Sequence, residues 1–411
     1  MKHADDLDHL AGCARCRQRF AGKTLPTDSG ERLARKREFI AAAARLERER
    51  NDAVDLVARH LRETPTAEWP RLAELPALRN NAALEQMSDE VRKRLHRRPT
   101  EALTIAQLST AVAALIPDGL YPPLVLAQIR ANAWKDRASA LRYLARYDEA
   151  LDAASIGEEH LAPFAAVEHD RAIVRMVKGM VLFQSGRFDE AGPILADCRR
   201  VFAEHHDHRR HVHSGIAEAS VFYETSRYAD ASRVYAAVLE DAIAAGEIES
   251  QASIHNNLGY CMTHLGDYDR ANIHFSEAIA KFTDLGFTAE VPRTERGAGL
   301  ILVGRGQIAS GLAHLRAARR DFTAAGMIEE AGLCALNIAA VLVDRGEGSE
   351  ARALTQNVVD EFTAAGLDER AIAAVVRLRD AIDVEGATAE TVRTVHAFVE
   401  SLRDDVCCVA N

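Results

Sequence analysis

Apolar and small residues recur along this chain with a period of 40. Tyr147, Phe188, Tyr228, Tyr268, Ile308 and Gly348 lie 41, 40, 40, 40 and 40 residues apart. Three residues after each stands a small one: Ala150, Ala191, Ala231, Ala271, Gly311 and Ala351. A second row keeps the same beat through Phe202, Phe282, Phe322 and Phe362, with Ala242 in the gap. Gly246, Gly286, Gly326 and Gly366 follow that row by four residues. A fixed period of this size predicts a solenoid, in which each unit buries its apolar face only by stacking on its neighbours. The expected fold is all-α, a right-handed superhelix of antiparallel helix pairs. Each pair should turn just before one of the six first-row residues.

The clearest unit runs from Ser253 to Gly286. In it, Gly259 lets the first helix (A) approach the second (B). Gly266 and Asp267 make the turn, Tyr268 packs at the start of helix B, and Ala271 sits at the crossing, where a larger side chain would force the pair apart. Leu258-Gly259, Gly266-Asp267-Tyr268, Ala271, Phe275 and Ala278 together resemble the tetratricopeptide repeat. That resemblance covers roughly Tyr121 to Asp383. The usual unit has about 34 residues. The extra residues lengthen each helix by about 4.5 Å, which is similar to the long-helix repeats of kinesin light chains and of bacterial peptide-sensing regulators. HEAT-type repeats share the period but not the Gly-x-aromatic-x-x-Ala signature.

The flanks are less regular. Residues 1–20 form a small cysteine-bearing segment and 21–120 a helical connector. In that connector Glu31 to Arg62 reads as a long charged helix, and divergent repeats begin near Pro99. The array of about six repeats occupies 121–385, and 386–411 holds an amphipathic helix, Thr388 to Arg403, that caps the array. The formal net charge of −10 argues against nucleic acid as the main partner. No apolar run is long enough for a membrane span and the N-terminus is too charged for a signal peptide, so a cytoplasmic protein is expected.

His9, Cys13 and Cys16 form an H-x3-C-x2-C motif. Two thiolates three apart can grip one Zn²⁺, and a His one turn earlier reaches the same ion. The motif resembles the zinc-binding anti-sigma factor domain, which implies one zinc and a sigma factor as partner. Only eight residues precede His9, whereas that family has a preceding helix that often carries the fourth ligand. His3 or water completes the shell, the coding sequence begins further upstream, or the site is a remnant.

Other clusters point to bland roles. His205, His206, His208, His211 and His213 read as a solvated corner, and the basic run Arg92 to Arg98 as a helix C-terminus facing the dipole. No phosphate loop, nucleophile elbow or paired-carboxylate motif is present, so no enzyme is expected.

In tetratricopeptide arrays the A helices line an inner groove. By register, Asn256, Asn257 and Tyr260 face it in one unit, and Asn337 repeats Asn257 two units on. An amide side chain can pair with both groups of a peptide backbone. Lys135, Arg142 and Arg296 would add charge for an acidic partner, and Met176, Met180 and Phe183 would offer an apolar floor. The reading is an interaction scaffold or regulator in bacterial signalling or transcriptional control, with a peptide or protein in the groove. A zinc-dependent anti-sigma factor and a peptide- or small-molecule-responsive regulator are the alternatives.

Overall fold

The computed structural model describes residues 50–409 apart from 166, 384 and 385. Helix α1 covers 50–63 and is followed by two 3-10 helices, Thr66–Glu74 and Pro76–Leu78. Then come α2 (Asn81–Arg94), α3 (Pro99–Ala114), α4 (Pro123–Tyr143), α5 (Tyr147–Leu161), α6 (Glu168–Gln184) and α7 (Phe188–Glu204). The array continues with α8 (His208–Glu224), α9 (Tyr228–Ala244), α10 (Ile248–His264), α11 (Tyr268–Asp284) and α12 (Glu290–Gly304). It ends with α13 (Ile308–Ala324), α14 (Ile328–Asp344), α15 (Gly348–Ala364), α16 (Glu369–Asp383) and α17 (Ala389–Val409). Among the described residues there is no strand. Every B helix begins on the residue expected of it: Tyr147, Phe188, Tyr228, Tyr268, Ile308 or Gly348.

The chemistry of the turns explains the register. From Gly186 to Gly366 one residue in every 20 has positive φ. Glycine holds eight of these places, and His206 and Ser226 hold the other two, at φ 57° and 59°. At each, the next amide reaches back five residues, as in Asp267 N to Met262 O at 2.9 Å and Phe287 N to Phe282 O at 2.9 Å. This is the Schellman stop, which satisfies the last carbonyls of a helix with a left-handed residue. The true structural beat is therefore 20, one helix and one turn. The 40-residue period appears in the sequence because A and B helices bury different residues.

Packing follows the small residues. Ala150, Ala191, Ala231, Ala271 and Ala351 are fully buried at the crossings. A Cβ on Gly259 would stand 2.8 Å from the Phe275 ring, so this A helix and its B helix are as close as a hydrogen side chain allows. Phe202, Phe322 and Phe362 are fully buried where one pair stacks on the next. Where the row has Ala242, the space goes to Gln251, whose Nε2 donates to the Ala242 carbonyl at 3.1 Å.

The helices form two layers. Successive A helices touch (α4 with α6, α8 with α10, α10 with α12, α12 with α14), whereas successive B helices make no comparable contact. The array therefore curves with the A helices on its concave side. Before it, α2 and α3 form an antiparallel pair stacked on α4.

The C-terminal helix does not simply close the end. α17 packs more extensively on α14 than on α16 and makes no comparable contact with the B helices α13 and α15. It folds back over the inner side of the array. The physical reason lies in α14, where Leu333, Leu336, Ala339, Ala340 and Leu342 are all buried: a helix apolar on every side needs a cover on its groove face too.

Candidate ligand groove

Three columns of side chains run along the concave side, one residue per A helix. The first contains Lys135, Met176, Ile216, Asn256 and Arg296; the second contains Asp136, Val177, Ala217, Asn257 and Asn337. The third, one turn on, contains Ser139, Met180, Ser220 and Tyr260. Most are half-buried, as expected of a groove wall.

At the centre the polar residues bond to each other. Asn257 Nδ2 donates to Tyr235 Oη at 3.2 Å, and that hydroxyl also lies 2.9 Å from Ser220 Oγ. Asn256 Nδ2 reaches Asn257 Oδ1 at 3.5 Å, and Thr294 Oγ1 donates toward Asn256 Oδ1 at 3.2 Å. The chain of bonds crosses three repeats. Burial raises the Tyr235 pKa well above its ordinary value, so the phenol stays neutral. Asn257 is thus engaged in joining neighbouring pairs, a use that depends on a partner 22 residues away.

Toward the N-terminal end the groove turns apolar and then charged. Met176, Met180, Phe183, Ile216 and Tyr223 form a half-buried strip on α6 and α8. Lys135 Nζ sits 2.9 Å from Asp136, which offsets its charge. The Arg142 guanidinium stacks 4.6 Å above the Tyr143 ring, and its Nε is buried with no hydrogen-bond partner.

At the C-terminal end Tyr260 and Arg296 come within electrostatic reach of α17, and Asn337 lies on α14 between Leu336 and Ala340, which share an apolar cluster with α17. Arg393 at the start of α17 lies 3.9 Å from Asp344 at the end of α14. Further along, His396 and Glu400 (3.8 Å apart) enter the field of Arg296. Burial lowers the His396 pKa, with the Arg296 charge adding to it and Glu400 opposing. Burial likewise raises that of Tyr260, with Arg296 opposing. Arg296 Nη1, Asn337 Nδ2 and His396 Nε2 are all buried without a hydrogen-bond partner. Asn257 and Asn337 share a register position, yet the first amide is spent and the second is not.

The remaining candidates do not join this site. His3, His9, Cys13 and Cys16 lie outside the described residues. The histidine corner is pulled apart by separate partners. His211 bridges Asp241 and the Arg199 carbonyl at 3.0 Å each, while His213 faces Glu247 at 4.0 Å. Among the described residues no cluster of three or more His, Cys, Asp or Glu is placed to hold a metal ion. In the basic run, Arg92 pairs with Asp89 at 2.6 Å, Lys93 with Glu90 at 2.7 Å and Arg94 with Glu101 at 3.2 Å. Burial pushes the Cys198 thiol up to about 12 and those of Cys261 and Cys334 up to about 11, which leaves them unreactive. No helix of the described residues is long and apolar enough to cross a membrane.

No family model matches the chain, and no curated protein matches it significantly. Solved structures do. One is a signal-transduction ATPase with numerous domains from Pyrococcus horikoshii that carries a tetratricopeptide-repeat sensor. It aligns with a TM-score of 0.58 at 11% identity, over 88% of this chain and 55% of that one. Aspartyl phosphate phosphatase F from Bacillus subtilis aligns with a TM-score of 0.52 at 12% identity, over 87% of this chain and 89% of that one. At these identities the likeness concerns architecture. The chain has the all-helical fold of tetratricopeptide-like repeat proteins.

Proposed function

We propose that the protein is an interaction scaffold or regulator in signalling or transcriptional control, and that its concave face holds a peptide or a segment of a partner protein. It acts by binding rather than by catalysis. The observation that carries this reading is the half-buried strip of Met176, Met180, Phe183, Ile216 and Tyr223 on α6 and α8. These side chains lie half-buried on two A helices that touch, so a ligand laid along the groove meets several at once, and methionines adapt to varied side chains. The Pyrococcus neighbour carries its repeats as a sensor, which agrees with a regulatory role.

The test is recovery of partners by full-length protein, with wild type, Met180→Glu and Tyr223→Glu compared. Arg233→Glu, on the exposed side of a B helix, is the control. The groove variants should lose the partners and the control should keep them. Equal recovery by folded groove variants rejects the reading. A zinc ion at His9, Cys13 and Cys16 is a separate proposal, supported by their spacing alone.

A further inference from the structure

Three features meet at the C-terminal end of the groove. The first is the fit of α17. Val392, Val399 and Leu402 are buried in one apolar cluster with Leu333, Leu336 and Ala340 of α14, and Val395 packs at its edge. The spacing of Val392, Val395, Val399 and Leu402 is three, four and three, the seam of an amphipathic helix laid against another helix. The second is the tether. α16 ends at Asp383 and α17 begins at Ala389, so a short connector keeps α17 at high effective concentration over its seat. The third is a fault in that seat. Arg296 Nη1, Asn337 Nδ2 and His396 Nε2 are enclosed there without partners. Arg296 makes no ion pair among the described residues, and the nearby Glu400 leans on His396 instead.

We propose that α17 is a built-in, displaceable occupant of the groove, and that the α12–α14 face beneath it docks an amphipathic helix from a partner that carries a carboxylate at the place of His396. This rests on the groove-binding function proposed above and names the partner's chemistry. An apolar face with three-four-three spacing reproduces what α17 already does. A carboxylate in place of the neutral imidazole gives Arg296 the charged acceptor that His396 does not supply, and offers the Asn337 amide an oxygen. The tether explains how a helix with an imperfect seat stays in place: a partner must outbid an intramolecular competitor, so the groove end opens only to the better match.

The experiment uses the full chain and two labelled synthetic peptides. One is residues 388–409; the other is the same peptide with His396→Glu. Binding is read by fluorescence anisotropy. Wild type should bind the native peptide weakly, since the seat is taken. The unseated variant Val392→Glu/Val399→Glu should bind it at least about tenfold more tightly, and the His396→Glu peptide about tenfold more tightly again. Arg296→Met in the unseated chain should abolish the second gain and keep the first. Equal affinity of wild type and unseated chain, or no preference for the His396→Glu peptide, overturns the proposal. If the unseated variant fails to fold, amide exchange on wild type replaces it. The His396→Glu peptide should then strip protection from α17, and unchanged protection at saturating peptide overturns the proposal equally. Partner recovery through Met180 and Tyr223 does not involve α17, so the two readings can fail separately.

Discussion

The turns give the sharpest stability prediction. Among the described residues twelve interhelical connections place a residue at positive φ, and in three it is not glycine: Ala145 at φ 54°, His206 at 57° and Ser226 at 59°. A Cβ in that region costs about 1–2 kcal/mol. Replacing it with glycine removes that strain but loosens the unfolded chain by about 0.4–1 kcal/mol. The net expectation is a gain of about 0.5–1 kcal/mol for Ser226→Gly and for His206→Gly. Little contact is lost. The Ser226 hydroxyl only accepts a 3.4 Å bond from Tyr228, and the His206 ring sits 6.4 Å from that of His208. The two sites are 20 residues apart, so the double variant should gain about 1–2 kcal/mol. Gly266→Ala is the mirror experiment. No atom lies within 4 Å of the added Cβ, so any loss is backbone strain alone, about 0.5–1 kcal/mol. Urea unfolding followed by circular dichroism reads all four, comparing midpoints and slopes because a solenoid need not melt in one step. Destabilisation by Ser226→Gly together with a neutral Gly266→Ala refutes the account of the turns.

Other outcomes follow from the packing and the site. Ala271→Leu overpacks a fully buried crossing and should cost about 1–3 kcal/mol, read as a lowered urea midpoint. Asn257→Ala breaks the bond to Tyr235 and should cost about 0.5–1.5 kcal/mol, whereas Asn337→Ala removes an unpartnered amide nitrogen and should cost less in the same assay. Burial holds the His255 imidazole down at about 4, and its Nδ1 lies 3.0 Å from that of His274, whose pKa burial also lowers. The unfolded chain therefore takes up more protons between pH 6.5 and about 4, so this stability is complete above that window and lost as pH falls through it. The urea midpoint of His255→Phe should drop less than that of wild type between pH 7 and pH 5. Metal analysis of untagged full-length protein should find about one zinc per chain, and Cys13→Ser/Cys16→Ser should remove it with the helical signal intact.

The array was readable in the sequence because its markers are local. Glycine after most helices, an aromatic at the start of most B helices and a small residue three places on each serve a contact within one pair or with the next. The 20-residue beat was hidden where His206 and Ser226 took the glycine's place. The groove positions followed from register alone, but their partners did not. Whether Asn257 faces a ligand or Tyr235 depends on the crossing of α9 and α10, which no spacing reveals. The place of α17 was likewise out of reach from its own pattern, since an amphipathic helix shows that one face is covered and not by what. The signal lay elsewhere, in the stretch of α14 from Ala331 to Val343, which is apolar at every position but Asn337.

The central claim is that partners bind on the concave side, along α6 and α8. Hydroxyl-radical footprinting of full-length protein, alone and with a captured partner, tests it side chain by side chain. Met176, Met180, Phe183 and Tyr223 should lose reactivity severalfold when the partner is present, while Phe287 and Met327 in the turns between pairs keep theirs. Unchanged reactivity of the four groove residues, with protection elsewhere, contradicts the account.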